Sequence, residues 1–238
     1  MGNILGVVMA KKELEVSLIS IPSNLLDVIY TACRTCYSAD GAVEIFNNIT
    51  DDKEKKLALI KRIISSGHYS TIEHIQLTFA INNISRAATH QLVRHRHMSF
   101  SQKSQRYVKE TDFDYIVPNA IQKNSELLTK FEAHMEATSK LYAELVEAGI
   151  KKEDARSILP NATASSIVCS LNLRELIHLA NLRLCTRAQL EIRMAIAKMC
   201  ALVIKEEPWL AEHLVPKCER LGYCDEDNSC GRKPTKNG

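Results

Sequence analysis

The segment RHRHMSFSQKSQRY, Arg94–Tyr107, concentrates cationic and hydrogen-bonding side chains and contains no carboxylate. Arginine offers planar, bidentate donors that match phosphate oxygens, and it stays charged in proteins. Met98, Phe100 and Tyr107 lie among these groups, which predicts partial burial, and a buried guanidinium needs a partner. The segment therefore favours a bound anion, with a solvated basic surface as the alternative.

A second cationic group lies on a predicted helix that begins near residue 172. Arg174, His178 and Asn181 share one face of this helix, because residues three and four apart are neighbours on a helix surface. Apolar residues occupy the other face. Two separated basic clusters could bind two anionic ligands, or the two ends of one anionic ligand. The alternative is that the polar face of this helix simply faces solvent. Further guanidiniums stand nearby at Arg156, Arg183 and Arg187.

Neither of the common glycine-rich phosphate motifs can hold the anion. The chain has 8 glycines and contains neither GxGxxG nor GxxxxGK[ST], which excludes a Rossmann turn and a P-loop. Side chains must bind the anion instead. Ser104 is interpreted as such a ligand rather than as a nucleophile, because Arg106 cannot act as a base and no triad order involves His95 or His97.

The histidines raise the alternative of a metal site, since most of them fall in one short stretch. Their spacing is not that of HExxH, and the neighbouring arginines would repel a cation. We therefore predict that these side chains bind no metal and are core or ligand-contacting groups. The clustered histidines are His68, His74, His90, His95 and His97.

The 8 cysteines fall into three groups. Cys33 and Cys36 form a CxxC that could be redox-active. Three more, at 169, 185 and 200, stand singly in apolar surroundings and are predicted to be core. The last three, at 218, 224 and 230, are evenly spaced near the C-terminus without a paired CxxC. These cysteines could bind a structural zinc or form a disulfide. We expect them instead to be unrelated free thiols.

Composition sets the broad class of the protein. The chain has 238 residues, 45% of them hydrophobic and 25% charged, and a formal net charge of +3. This charge is too small to indicate a nucleic-acid partner by itself. No apolar run approaches the length of about 20 residues that a membrane span needs, and ILGVVMA near the start fits neither a signal peptide nor an anchor. We expect a cytoplasmic protein.

Hydrophobic periodicity and capping signals predict an α+β fold with a mixed or antiparallel sheet packed with helices. Strands are predicted at 14–20, 75–81 and 162–171, and helices at 25–36, 85–96, 125–148, 151–159, 173–184 and 188–206. A further helix follows a capping box formed by Asp51 and Glu54 and ends at Gly67. Asn172 and Glu175 form a second capping box. We expect a domain over residues 1–216 and a loosely attached tail over 217–238.

Several of these segments together resemble a known family. Arg94-His95-Arg96, followed by seven residues and Ser104 and then by Gln-Arg-Tyr, resembles the signature of flavin-dependent thymidylate synthases. GHYSTIEH, ARSILP, SLNLREL and NLRLCTRAQLEI resemble further blocks of that family in the same order. The similarity covers roughly Leu14 to Trp209.

The resemblance implies an activity and its ligands. Members of the family convert dUMP to dTMP, with methylenetetrahydrofolate as carbon donor, FAD as redox carrier and NADPH as reductant, and without a covalent enzyme nucleophile. Their flavin site is not a Rossmann site and is assembled between subunits of a homotetramer. The implied partners are therefore small molecules and further copies of the chain, with no membrane and no nucleic acid polymer.

The resemblance also implies roles for individual residues. Arg183 would be catalytic, because it would stabilise negative charge on the pyrimidine, and His68 would lie near the folate and the flavin. FAD would be contacted by Ser70, Glu73, Arg94, His95, Arg96, Gln102, Asn172, Arg174 and His178. The nucleotide would be contacted by Gln91, Leu92, Val93, Arg94, Gln102, Lys103, Ser104, Gln105, Arg106, Arg156 and Arg183.

The sequence departs from the family pattern at a few of these positions. Gln102 stands where many relatives have an acidic residue, so we expect it to form neutral hydrogen bonds. Ser70 replaces the more common threonine. Cys36 falls near a position at which relatives can carry a serine beside FAD.

Overall fold

The structure is a computed structural model that describes residues 12–236 and has the predicted α+β architecture. Its strands are β1 (Glu15–Ser20), β2 (Gln76–Ser85), β3 (Met98–Gln102) and β4 (Ala164–Asn172). Its helices are α1 (Leu25–Thr35), α2 (Ala42–Asn47), α3 (Lys53–Ser65), α4 (Arg86–Leu92), α5 (Asn119–Gln122), α6 (Ser125–Glu147), α7 (Lys152–Ala155), α8 (Leu173–Arg183), α9 (Leu190–Glu206) and α10 (Lys217–Leu221). Short 3₁₀ helices occupy Tyr69–Ile72, Arg156–Ile158 and Pro208–Glu212.

The strands form an antiparallel sheet in the order β1-β2-β4-β3. The described chain divides into two compact units. We call the unit made of residues 12–16, 81–95 and 100–168 the α6 unit, and the unit made of residues 17–80, 96–99 and 169–236 the α8 unit. No helix among residues 12–236 is long and apolar enough to span a bilayer.

Each unit has its own apolar core. In the α6 unit, α6 contributes Met135 and Tyr142, which are buried with Phe113. The Tyr142 hydroxyl accepts a hydrogen bond from the Glu110 amide at 3.3 Å, which satisfies the polar end of a buried ring. In the α8 unit, the predicted apolar face of α8 is buried as expected, at Leu173, Leu176, Ile177 and Ala180.

Two strands pass directly into helices without a loop. β2 ends at Ser85, whose hydroxyl accepts a hydrogen bond from the Ala88 amide at 3.1 Å, and α4 begins at the next residue. β4 ends at Asn172, whose side-chain oxygen accepts from the Glu175 amide at 2.8 Å, and α8 begins at the next residue. Side-chain caps of this type contribute about 1 kcal/mol each. They fix where each helix starts and therefore which way its first side chains point.

Two sequence-based predictions for this region were wrong. The helix predicted to reach Arg96 ends at Leu92, and the segment that follows contains β3, whose side chains alternate between half-buried and exposed. The first capping box was misplaced by one residue. Asp52, not Asp51, caps α3 by accepting from the Lys55 amide at 3.0 Å, because the helix begins at Lys53 and Asp52 is the residue before it.

Several contacts join the C-terminal tail to the rest of the α8 unit. α10 contacts α8, and the Arg220 guanidinium donates to the Asn181 side chain at 3.2 Å. Arg187, in the loop between α8 and α9, forms an ion pair with Glu226 at 2.6 Å. The tail residues up to 236 thus belong to the α8 unit.

Gly67 ends α3 as predicted, in a left-handed conformation with φ of 86°. Its amide donates to the Ile64 carbonyl at 2.9 Å, and the His68 amide donates to the Ile63 carbonyl at 3.2 Å. This pair of bonds is the Schellman arrangement, which favours glycine at the left-handed position.

We expect Gly67→Ala to lower the free energy of unfolding by about 1 kcal/mol, because an added Cβ meets no neighbour but is strained at positive φ. Urea unfolding followed by circular dichroism measures the difference. Ser65→Ala in the last turn of the same helix is the control and should leave the midpoint nearly unchanged, since that side chain is exposed. Equal midpoints for Gly67→Ala and wild type would contradict the role of the backbone conformation.

Candidate active site

The α8 unit contains a cavity of about 420 Å³ that we call the α8 cavity. It is lined by Glu73, His97, Asn172, Arg174, Glu175 and His178. Four of these residues, at 73, 172, 174 and 178, are ones that the sequence resemblance placed around FAD. The structure therefore brings together residues that are separated by about a hundred positions in the chain.

The start of α8 positions the polar lining of this cavity. Because Asn172 caps the helix, Arg174 and His178 project from the first turns on the exposed face. Arg174 forms an ion pair with Glu73, which directly follows the 3₁₀ helix at Tyr69–Ile72. Glu175 stands on the other side of the same turn and is 7% exposed. The cavity thus combines cationic, amide and carboxylate groups.

A smaller cavity of about 150 Å³ shares Arg174 and His178 with the α8 cavity. Its other lining residues include Tyr69, Asn181 and Arg220. Asn181 was expected to share the polar face of α8, and Arg220 comes from the tail. Arg174 and His178 therefore line both cavities.

Several residues that line these two cavities were not among the predicted site residues, including His97, Glu175 and Arg220. His97 belongs to the cationic segment Arg94–Tyr107, so the sequence could have identified it as a candidate site residue. Glu175 was identified as a helix cap but not as a lining residue. Arg220 could not have been found, because it reaches the cavity only through the packing of α10 on α8.

A third cavity of the α8 unit, of about 380 Å³, is lined by α1 and by residues near the 3₁₀ helix. Cys36 and Ser70 both border it, together with His74 and Thr35. The cysteine that the sequence placed near a flavin-contacting position thus lies beside a predicted flavin ligand. Arg96 is exposed in the same unit, and no carboxylate among residues 12–236 forms an ion pair with it.

His68 is exposed and is held by Tyr37. The Tyr37 hydroxyl lies 2.6 Å from His68 Nδ1, and the two rings stack with centroids 6.0 Å apart. This hydrogen bond leaves Nε2 as the ring nitrogen that can interact with a ligand. Tyr37 was not predicted as a site residue, because the bond joins positions on different elements.

In the α6 unit, the charge of one arginine acts on another. Burial lowers the pKa of half-buried Arg86, the charge of Arg156 lowers it further, and only Glu110 opposes these effects. Like charges held close together are unfavourable unless an anion or a carboxylate lies near them. Arg156 was a predicted nucleotide ligand. Arg86 was not predicted, because no sequence pattern links it to Arg156.

Gln102 lies at the end of β3 and forms neutral hydrogen bonds, as expected. Its side-chain amide donates to the Thr89 hydroxyl at 3.0 Å and to the Ser165 hydroxyl at 3.2 Å. Both partners are buried. These bonds tie β3 to α4 and β4 and leave the carbonyl oxygen of the Gln102 amide for a ligand.

The cationic segment has more protein counter-charge than its own sequence suggested. Lys103 forms an ion pair with buried Glu110 at 2.7 Å, and Arg106 forms one with Glu153 at 2.5 Å. These carboxylates come from outside the segment, which is why the sequence did not reveal them. Arg94 has no such carboxylate partner among residues 12–236 and is exposed.

Ser104 lies in a turn rather than beside a catalytic base. Its hydroxyl accepts a hydrogen bond from the Arg106 amide at 3.2 Å, and its carbonyl accepts from the Val108 amide at 3.0 Å. Gln105 is half-buried in the same turn, and Tyr107 is exposed with the Arg106 guanidinium over its ring.

The remaining predicted nucleotide residues occupy the end of α4 and the turn after it. Gln91 is half-buried and Val93 is exposed, whereas the Leu92 side chain is in the core. Leu92 can therefore contact a ligand only through its backbone. His95 is 8% exposed.

Arg183 lies in the last turn of α8 and is half-buried. A cation is favourable at this end of a helix because the carbonyl groups give it a partial negative charge. The position of Arg183 at the end of α8 therefore suits its positive charge.

The cysteines of the core are chemically inert. Burial raises the pKa of the Cys169 and Cys200 thiols to about 12. Burial also raises the pKa of Cys33, which disfavours redox chemistry at the CxxC because the thiolate is the reactive form. Cys169 and Cys200 are core residues as predicted, but Cys185 is only half-buried.

Comparison with known proteins gives a consistent picture. The family described as "Thymidylate synthase complementing protein" matches residues 17–209. A flavin-dependent thymidylate synthase of Nitratidesulfovibrio vulgaris is 42% identical over 242 residues, which cover 96% of this chain and 98% of that one. The enzyme of the same name from Pyrococcus abyssi is 42% identical over 221 residues, or 89% of each chain.

A solved structure is similar in fold. It is described as a UMP/dUMP methylase, PolB, from Streptomyces cacaoi bound with 5-Br dUMP. The TM-score is 0.74 at 23% sequence identity, and the match covers 86% of this chain and 98% of that one.

We expect Tyr37→Phe to release the His68 ring without unfolding the α8 unit, because Tyr37 is exposed and the change removes one hydroxyl. ¹⁵N NMR of the histidine rings should show a changed Nδ1 resonance for His68. Tyr107→Phe is the control, since that exposed hydroxyl has no hydrogen-bond partner among residues 12–236. An unchanged His68 signal in Tyr37→Phe would show that the bond does not orient the ring in solution.

Proposed function

The chain belongs to the thymidylate synthase complementing protein family and is an enzyme of the flavin-dependent thymidylate synthase type, and on this basis we propose that it converts dUMP to dTMP. In this proposal methylenetetrahydrofolate donates the carbon, and FAD and NADPH supply the reducing equivalents. The observation that carries the proposal is that residues expected to contact flavin line one cavity beside Arg174.

The lining of the α8 cavity fits part of a flavin dinucleotide. Arg174 can donate to diphosphate oxygens in a bidentate manner, and Asn172 and His178 add neutral hydrogen-bonding groups. Glu73, which pairs with Arg174, can accept hydrogen bonds from ribose hydroxyls. We infer that Ser70 and Arg96, both exposed in the same unit, contact other parts of the cofactor, and that Arg94, His95 and Gln102 do so from the α6 unit.

Bound FAD would carry hydride from NADPH to the one-carbon group on the pyrimidine. The chain's own contribution is to bind and orient the reactants. We infer that His68 contacts the folate or the flavin through Nε2, since Tyr37 occupies the other ring nitrogen.

We propose that the phosphate of dUMP binds between the guanidiniums of the α6 unit. Arg86 and Arg156 repel each other, and a phosphate dianion between them would replace that repulsion by two attractions. Ser104, Gln105 and Arg106 would add donors from the adjacent turn, and Lys103 would add a positive charge.

The uracil ring of dUMP requires contacts other than those that bind its phosphate. We infer that Gln91, Arg94 and the backbone of Leu92 and Val93 hold its edge. Arg183 would face the ring and stabilise the negative charge that develops on it when N3 ionises. A fixed cation that meets developing charge in a partly buried site is an effective form of electrostatic catalysis.

The geometry of Ser104 favours a reaction without a covalent enzyme adduct. A serine nucleophile needs a base within hydrogen-bond distance. Among residues 12–236, the contact recorded for this hydroxyl is with the Arg106 amide, which is a donor and cannot remove a proton.

The experiment that tests the function combines a spectrum with an assay. Purified protein should be yellow with flavin absorbance, and with methylenetetrahydrofolate and NADPH it should release label from dUMP that is tritiated at C5. A phosphate- or RNA-binding module and a histidine-metal hydrolase would show neither result. A colourless protein that cannot be loaded with FAD and releases no label would overturn the proposal.

Arg183→Ala separates the catalytic role from cofactor binding. We expect the variant to retain FAD but to lose about 10²–10³-fold in kcat, the range found when one preorganised charge-stabilising group is removed. Arg183→Lys is the matched control and should recover part of the rate, because it keeps the charge but not the planar fork. Near-normal turnover of Arg183→Ala at saturating dUMP would exclude the assigned role.

We also propose that the protein is a homotetramer whose subunits share the flavin. FAD has two nucleotide-sized halves and is larger than the α8 cavity, so further surfaces must contact it. A ligand that binds only the assembled protein stabilises the assembly by mass action.

We expect Arg174→Ala to weaken flavin retention and tetramer stability together, because Arg174 would pair with the shared diphosphate. Light scattering and flavin absorbance after gel filtration measure both quantities on the same sample. Arg62→Ala is the control, since this exposed arginine of α3 lies outside the cavity lining. A wild-type monomer that holds FAD tightly would refute the shared site.

A further inference from the structure

The smaller cavity beside Arg174, of about 150 Å³, has a lining rich in groups that bind anions. We call it the Arg220 cavity, and its polar lining residues are Tyr69, Arg174, His178, Asn181 and Arg220. No carboxylate is among them. Arg220 belongs to α10 in the C-terminal tail, beyond residues 17–209 that match the family, so the family match assigns it no role.

Two hydrogen bonds in series orient the Arg220 guanidinium. The side-chain amide of Asn181 donates to the Ile177 carbonyl at 2.6 Å, one turn earlier in α8. The side-chain oxygen of Asn181 accepts from Arg220 Nε at 3.2 Å. The two terminal NH₂ groups of Arg220 form no hydrogen bond within residues 12–236, so they can donate to a ligand.

No carboxylate of the tail neutralises Arg220. The two acidic residues nearest to it in sequence pair with other cations: Glu219 with Arg232 at 3.0 Å, and Asp225 with Lys217. Arg220 itself forms no ion pair with any carboxylate in the part of the chain that the structure describes. Its positive charge is therefore available to an anionic ligand.

Arg174 brings a second guanidinium to the Arg220 cavity. Its Nη1 nitrogen pairs with the Glu73 carboxylate. Because a guanidinium has five N–H donors, Arg174 keeps donors beyond this ion pair. The two arginines also carry more positive charge than the one carboxylate offsets. A small oxyanion between them would accept charge-assisted hydrogen bonds from both, and these are among the stronger hydrogen bonds in proteins.

The size of the Arg220 cavity limits the ligand to a small group. Its volume of about 150 Å³ lies below the roughly 300–1,000 Å³ of sites for drug-sized molecules. A phosphate group fits such a volume, whereas a whole nucleotide does not. Because Arg174 and His178 also line the α8 cavity, a phosphate in this position can belong to a larger ligand whose remaining part occupies the α8 cavity.

We propose that the Arg220 cavity binds a phosphate group between Arg174 and Arg220. Half-buried Tyr69 and exposed His178 supply further hydrogen-bonding groups. The phosphate belongs either to the diphosphate of the flavin, a case that rests on the proposed function, or to a separate phosphate ion, a case that does not. In both cases the tail contributes a residue to a binding site.

³¹P NMR of the FAD-loaded protein, with and without added inorganic phosphate, tests the proposal and distinguishes the two sources. If the flavin supplies the phosphate, the diphosphate resonances of bound FAD should shift in Arg220→Gln, and the Kd of FAD should rise about tenfold. If a separate ion binds, wild type should broaden the resonance of inorganic phosphate and Arg220→Gln should not. A protein that takes up no FAD would contradict the proposed function, and the inorganic phosphate measurement alone would then decide the site.

Arg220→Gln separates anion binding from anchoring of the tail. The amide nitrogen of glutamine lies as many bonds from Cα as Nε of arginine does, so it can still donate to Asn181 after the charge is lost. Circular dichroism verifies that the variant folds. Arg220→Lys should recover part of the phosphate affinity, because it keeps the charge without the planar fork.

Lys236→Ala is the matched control, since it removes one positive charge from an exposed residue of the same tail that lines neither cavity. It should behave as wild type in both measurements. Identical spectra and affinities for wild type and Arg220→Gln would overturn the proposal, because Arg220 would then only anchor the tail.

Discussion

The candidate sites depend on two junctions at which a strand is followed directly by a helix, with no loop between them. β2 ends and α4 begins at Ser85, and β4 ends and α8 begins at Asn172, with a side-chain cap at each junction. A loop at either place would let the following side chains turn away. Because the strand fixes the cap and the cap fixes the first helical turn, the backbone positions of Arg86 and Arg174 are set by these junctions. A junction of this kind is present in each of the two units.

Both arginines stand where a cation is disfavoured, since the first turn of a helix carries a partial positive charge. The protein offsets this cost in different ways. Arg174 pairs with the exposed carboxylate of Glu73. Burial lowers the pKa of Arg86, and the charge of Arg156 lowers it further, while Glu110 opposes both effects. Electrostatic arrangements that are poor for stability alone are typical of functional sites, and here they match the anionic ligands expected for the family.

The carboxylates around the cationic segment show how the protein accommodates several positive charges that lie close together in the sequence. Glu110 and Glu153 form ion pairs with Lys103 and Arg106, and the Glu153 carbonyl also accepts a hydrogen bond from the Arg156 guanidinium at 3.2 Å. Arg94 and Arg96 are exposed and have no such partner among residues 12–236. The segment therefore contains both structural ion pairs and unpaired guanidiniums, and the unpaired ones are the better candidates for binding anions.

By itself, the sequence determined the α+β class, most of the helices and strands, the cap at Asn172 and the end of α3 at Gly67, because these features depend on local periodicity and on backbone chemistry. It also identified the family and the residue types of the site, since the motifs are contiguous segments. The end of α4 and the strand β3 were missed, because the residues between them are compatible with a helix until tertiary packing selects otherwise. Only the tertiary structure decided the contacts between distant segments: the hydrogen bond of Tyr37 with His68, the ion pair of Arg174 with Glu73, and the cavity that Arg220 lines with Arg174. These contacts join residues that no periodicity links, so packing alone determines which of them meet.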